Sequence, residues 1–432
     1  MGLSLSKISG YSVLITLFAI ALQIQLTLFS AQDYQGLRLN SADLMLPPLG
    51  LFILFNLWTK RSSWPQWAGR FGYWAIALLS GVLMLSLLNG YVQIDEWQSW
   101  ALINKFIGWL VLMAYLGAGA WIATNAPPKI WNIFKLIFVG FFCASVLVEI
   151  ARMYMRWELG MDIPTAKAIY IEGFMQNRNA YAFLFLICAL IISAKDKGES
   201  SRYWRGLTIL FWVLAPLFVM LNGSRALMLC LAPLLGYVAI KNRSAFFKTI
   251  LPCVLIFGAI GLFAFQNFST WIARPIHHTA ILMESSENKA QYAQERGIRT
   301  NYNHSRLALI RDSVELIKDY PLTGAGLGGI IHHQKEKYGE MLSVMDNTLL
   351  WILTEMGPFG LFSFVLVYIV MTHTLYRRKD ESTLYESAFV MLIAFGAFSM
   401  FHEILYTRFF WFILGMALAV PIAHHRQSTP QA

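Results

Sequence analysis

The chain has 432 residues, 57% of them hydrophobic and only 13% charged, with a mean hydropathy of +0.53. That balance excludes a soluble enzyme. The formal charge of +10 sits largely in short loops, where it serves membrane orientation and anionic headgroups, and it implies no nucleic acid.

Taken in chain order, apolar runs of about 17–25 residues have the length that crosses a hydrocarbon core. They predict spans at 9–30, 42–59, 71–90, 101–123, 131–151, 179–194, 206–222, 226–240, 249–266, 347–373, 384–400 and 408–425. The N-terminal run lacks a small-residue cleavage site, which marks it as a retained first helix. Backbone groups in lipid must be satisfied internally. The expected fold class is therefore an all-α polytopic membrane protein. It would have about 12 transmembrane helices and one large periplasmic loop containing an amphipathic helix. Residues 1–265 would form a bundle of about nine helices, 266–346 the loop or lid, and 347–432 a bundle of about three.

Alternate short loops carry Lys60, Arg61 and Arg70; Lys129; Lys195, Lys197, Arg202 and Arg205; Lys241, Arg243 and Lys248; and Arg377, Arg378 and Lys379. Loops between them, such as 91–100, are acidic or nearly uncharged. The positive-inside rule makes the first set and both termini cytoplasmic. The loops at 152–178 and 266–346 then face outward. Cys143, Cys188, Cys230 and Cys253 all lie in apolar spans, without metal-ligand spacing and without the look of a disulfide framework. No HExxH or comparable cluster occurs, so no metal and no cofactor are expected.

Two outward helix starts carry arginine: Arg178 in MQNRNAYAF and Arg225 in the tight turn LNGSRALML. Arginine there is either an interfacial anchor or an anion ligand, since a guanidinium fork fits phosphate oxygens and helix N-termini add donors. In the long loop, Leu307, Ile310, Val314 and Ile317 recur at helical spacing, predicting one amphipathic helix over about 304–319. Asn303 or Ser305 would cap it and Pro321 stop it. Arg306 falls in its first turn, where the helix dipole disfavours a cation. Arg311 is spaced to pair with Glu315. The run PLTGAGLGG reads as a flexible turn back to the bundle, and only loosely as a phosphate loop. Asp346 and Asn347 open the next span, with Asp346 either an N-cap or a general base. Glu355, inside that span, must pair, for instance with an arginine. His332 and His333 read as solvated loop residues; His402 and Glu403 are lesser candidates.

Three pieces together resemble the O-antigen ligase and polymerase superfamily: NGSRA, SRLALIRDSVELIKDYPLTGAGLGG, and DNTLLWILTEMGPFG. The plan of about twelve helices with a large loop before the last few is also similar. The resemblance is best from about 175 to 365. It implies a metal-independent inner-membrane glycosyltransferase of lipopolysaccharide or polysaccharide biosynthesis. The donor would be an undecaprenyl-diphosphate-linked glycan, and the acceptor lipid A-core or another lipid-linked glycan. By position, Arg225 and Arg306 would hold the donor diphosphate and Asp346 would be the base, where many ligases have histidine. Arg178, Asn347, Glu355, Arg311, His332 and His333 complete the substrate-binding set. A transporter or flippase is the competing class, but transporters place substrate charges near the midplane.

Overall fold

A computed structural model describes residues 16–28, 37–59, 62–65, 71–126, 130–157, 170–175, 177–194, 202–241, 246–253, 306–339, 345 and 347–419, with isolated residues 67, 159, 161, 243, 255, 256 and 259. Asp346, the expected caps Asn303 and Ser305, and most of the expected span 249–266 lie outside the described residues, as does the loop up to residue 305. The chain divides into two compact units, Met1–Phe134 with Ser305–Ala432, and Lys135–His304.

In the first unit, residues 16–22 are helical (α1). The strands β1 (Gln25–Leu28) and β2 (Leu37–Asn40) then pair antiparallel, Gln25 opposite Asn40. The expected single helix over 9–30 is thus interrupted. The polar Gln23 takes a positive φ of 49°, and its side-chain oxygen accepts from Asn40 Nδ2 at 3.1 Å. Helices α2 (Leu46–Trp58) and α3 (Phe71–Ile94) follow. Next is α4 (Trp100–Asn125), whose opening residues Trp100–Ile107 are π-helical. After the second unit come α10 (Arg306–Asp319), α11 (Gly329–Tyr338), α12 (Thr348–Arg378), α13 (Thr383–Ser399) and α14 (Arg408–Leu418). Every residue of α14 after the first is buried, and its main partner is α4.

The second unit holds most of α5 (Ile130–Trp157), the 3₁₀ turn Gly173–Met175, α6 (Arg178–Ser193), α7 (Arg202–Asn222), α8 (Arg225–Lys241) and α9 (Phe246–Cys253). Its core is aromatic. Phe185 stacks on Phe218 at 4.8 Å and on Phe211 at 5.3 Å between ring centroids. The buried Tyr181 hydroxyl is satisfied by Ser145 at 2.6 Å.

The described residues are overwhelmingly helical. Five helices (α3, α4, α5, α7 and α12) are long and apolar enough to cross a membrane, and α8 with α9 makes a sixth if taken as one bent span. Helices α2, α6, α13 and α14 are apolar but shorter.

The decisive local feature is a break in α12. Gly357 has φ 66° and ψ −171°, and Pro358 follows it. Proline has no N–H, so the carbonyl of Thr354 loses its helical partner. The N–H of Ala325 supplies one instead, at 2.8 Å. The next carbonyl, on Glu355, accepts from Ser86 Oγ of α3 at 2.7 Å. The glycine-rich run is therefore no loose turn: residues 324–331 are all buried. It seals the break and packs on α3, where Leu327 N–H donates to Ser86 O at 2.9 Å and Asn89 Nδ2 to Gly324 O at 3.1 Å.

Backbones touch here. A Cβ on Gly326 (φ 74°) would lie 2.3 Å from Gly90 Cα. Gly339 has a similar φ of 76° but open space around it. Gly326→Ala is expected to cost about 1–3 kcal/mol of overpacking beyond the left-handed strain of about 1–2 kcal/mol that Gly339→Ala alone would carry. A comparison of the two melting curves in detergent checks this.

Candidate active site

The two arginine-bearing helix starts of the second unit are joined. Asn177 caps α6, its Oδ1 accepting from the N–H groups of Asn179 at 3.0 Å and Ala180 at 3.1 Å. The fully buried Asn222, last residue of α7, donates from Nδ2 to the carbonyls of Ile171 and Arg178, both at 3.0 Å. Ser224 Oγ donates to Asn179 Oδ1 at 3.1 Å. Between them, Gly223 turns the chain with φ 61°. Arg178 and Arg225 thus stand at the first positions of two packed helices, α6 and α8. Arg225 is exposed. Arg178 lies 4.7 Å over the Tyr170 ring, a cation–π contact that holds the guanidinium without taking up its fork. Glu172 is nearby: burial pushes its carboxyl up, and Arg178 pulls it back down.

In the first unit, the helix expected from about 304 to 319 is α10, and Arg306 is its first residue. The buried face differs from the expected one. Ile310 is 45% and Val314 41% exposed, whereas Leu309, Asp312, Ser313 and Leu316 are buried against α11 and α12. Asp312 explains the rotation, since its carboxylate accepts from Lys337 Nζ at 2.9 Å and from the Tyr338 hydroxyl at 3.0 Å. The expected Arg311–Glu315 pair is replaced by Lys337 Nζ on Glu315 at 2.6 Å, with His333 Nε2 at 3.6 Å. Lys337 holds the Glu315 carboxyl below its ordinary range. His332 and His333 are not loop residues but lie in α11, with His332 3.2 Å from Glu336. Among the described residues, Asp312, Glu315 and His333 form the one group whose ligand atoms lie within 4.8 Å of one another, and the Lys337 ammonium already sits on both carboxylates.

Asn347, not Asp346, caps α12. Its Oδ1 accepts from Leu350 N–H at 2.9 Å, and its Nδ2 donates to Met400 O at 2.7 Å. The Thr348 hydroxyl donates to His402 O at 3.1 Å. The capping role assigned to Asp346 thus falls to the next residue. Glu355 is fully buried and, among the described residues, meets no arginine. Its Oε1 accepts from the N–H groups of Gly328 at 3.1 Å and Ile330 at 3.4 Å, and its Oε2 from Trp351 Nε1 at 2.7 Å. The anion at the N-terminus of α11 is the protein's own carboxylate.

Two charged groups at this end escaped sequence reasoning. Arg408 starts α14 as Arg225 starts α8, but Asp43 takes its fork through Nε at 2.8 and 2.9 Å and a terminal nitrogen at 2.7 Å. Lys105 is 3% exposed and pairs with Glu403. Its Nζ lies over the rings of Trp351 at 4.1 Å, Trp100 at 4.6 Å and Tyr406 at 4.7 Å. A lone lysine inside an apolar span is itself the signal that flags it.

Comparison with curated proteins and with solved structures gives no significant match. Residues 209–365 match the family model described as O-antigen ligase. That segment runs from α7 to the middle of α12 and contains Arg225, Arg306, the glycine-rich run, Asp346 and Glu355. The match over this segment supports membership of the O-antigen ligase superfamily for this helical membrane chain.

Proposed function

We propose that the protein is a periplasmic-face glycosyltransferase of the O-antigen ligase type. It moves a glycan from undecaprenyl diphosphate to an acceptor sugar hydroxyl, with lipid A-core favoured over a second lipid-linked glycan. The observation that carries this reading is the family match over a segment that includes one of two hydrogen-bonded helix starts with arginine at their heads. Inverting transfer needs a base beside the acceptor hydroxyl and cations where the leaving diphosphate gathers charge. Arg178, Arg225 and Arg306 supply the cationic side. The Asp346 carboxylate takes the hydroxyl proton, and the anomeric C–O bond to the diphosphate breaks as the new one forms. Asn347, Glu355, Arg311, His332 and His333 line or support the substrate path. The chain sits in the bacterial inner membrane with about 12 spans and both termini inside. The 266–346 segment acts as a periplasmic lid.

The test is transfer by purified protein from undecaprenyl-diphosphate-linked glycan, without added metal, with and without lipid A-core. Product on lipid A-core is the expected result. Lengthened lipid-linked chains would make the protein a polymerase instead. Absence of transfer with donor binding retained would favour a lipid-linked-glycan transporter.

A further inference from the structure

We infer that Lys105 and Glu403 are positioning residues that hold the head of α12 in its working place. The inference rests on the glycosyltransferase reading for its catalytic consequence, but its geometry stands within the first unit alone. Lys105 lies in the π-helical opening of α4, a form often found at functional sites. Its ammonium is shut into a box of Trp100, Trp351 and Tyr406 and pairs with Glu403. The Tyr406 hydroxyl donates to the Lys105 carbonyl at 3.0 Å. Glu403 and Tyr406 belong to the 400–407 segment joining α13 to α14, and this same segment offers the carbonyls of Met400 and His402 to Asn347 and Thr348.

The path is short and continuous: Lys105, Glu403, the 400–407 carbonyls, then Asn347 and Thr348. On the other side, Trp351 links the lysine box to Glu355 through its indole N–H, and so to the glycine-rich run. One buried cation therefore fixes both neighbours of the first turn of α12. Lys105 is almost entirely shut off from solvent, so its ammonium is of no use as a docking charge. A buried pair of this kind also contributes little net stability compared with an apolar replacement, which favours a role in specifying geometry.

Two measurements on the full-length protein in nanodiscs test this. The first is amide hydrogen exchange over 347–352, which is independent of transfer. Lys105→Met and Glu403→Gln are expected to speed exchange at Leu350 and Trp351 at least about tenfold, a shift of about 1.4 kcal/mol in local opening. Lys105→Arg, which keeps the charge, is expected to restore protection. Should Lys105→Met fail to fold, Glu403→Gln, which keeps the shape, carries the test. Unchanged exchange in Glu403→Gln overturns the inference. The second is transfer kinetics, where kcat is expected to fall about a hundredfold, as for a misplacement of about 1 Å, with the donor KM unchanged. A kcat that stays at the wild-type value while exchange rises overturns the catalytic half. If wild-type protein shows no transfer while exchange responds as expected, the glycosyltransferase reading fails and the clamp stands.

Discussion

Glu355→Ala is expected to destabilise the first unit by about 3–5 kcal/mol, the usual cost of removing one partner from a buried charged network. The carboxylate is fully buried, and three N–H donors converge on it from Gly328, Ile330 and Trp351. Alanine leaves all three without an acceptor and leaves Lys105 with Glu403 as its remaining acidic neighbour. The glycine-rich run would lose the anion at the start of α11 while its Ala325 N–H still has to reach the break in α12. Glu355→Gln keeps one acceptor oxygen and the shape, so a smaller loss is expected, with the order Ala below Gln below wild type in a detergent melt. Equal melting of all three proteins would show that the network does not hold this end together.

The second large effect is catalytic. Asp346→Asn is expected to lower transfer by about 10²–10⁴-fold, the range supplied by a positioned general base. Arg225→Ala is expected to lower it by about 10²–10³-fold, as for loss of one donor to a developing anion. Arg225 stands exposed at the first position of α8, and folded yield in detergent is the control for this variant. Asp346→His is the more telling variant, because the resemblance implies histidine in many relatives. It should keep activity while the acid limb of the pH profile moves upward, since imidazole ordinarily titrates at higher pH than a carboxylate. A profile that does not move would take the proton-accepting role away from residue 346.

Much of this was legible in the sequence, and the parts that were not share a physical cause. Hydropathy alone located α3, α4, α5, α7 and α12, because an apolar helix long enough to cross lipid has few alternatives. The arginines at the starts of α6 and α8 were legible as a pair, and Asn222 and Ser224 join their helices by hydrogen bonds that no spacing rule encodes. The face of α10 was misjudged because apolar periodicity points to Ile310 and Val314, while Asp312 is drawn inward by Lys337 and Tyr338 from the following helix. Glu355 was correctly expected to need a partner, but the partners are backbone N–H groups, which every residue carries and no sequence pattern marks. Lys105 and Glu403 are 298 positions apart, and Ser86 and Glu355 are 269 apart. Pairings at that distance leave no local trace.

The break at Gly357 and Pro358 also constrains how the protein is made. When α12 first enters the bilayer, two of its carbonyls, on Thr354 and Glu355, have no helical donor and would face hydrocarbon, at a cost of several kcal/mol each. Their eventual donors, Ala325 and Ser86, both precede α12 in the chain but at very different distances. Ser86, in α3, is synthesised long before; Ala325 comes shortly before α12, with α11 between them. The glycine-rich run is therefore expected to settle between α3 and α12 only after both are inserted. Substitutions that block this step should yield chains that are inserted and full-length yet remain sensitive to protease around residue 325, a biogenesis defect distinct from loss of chemistry.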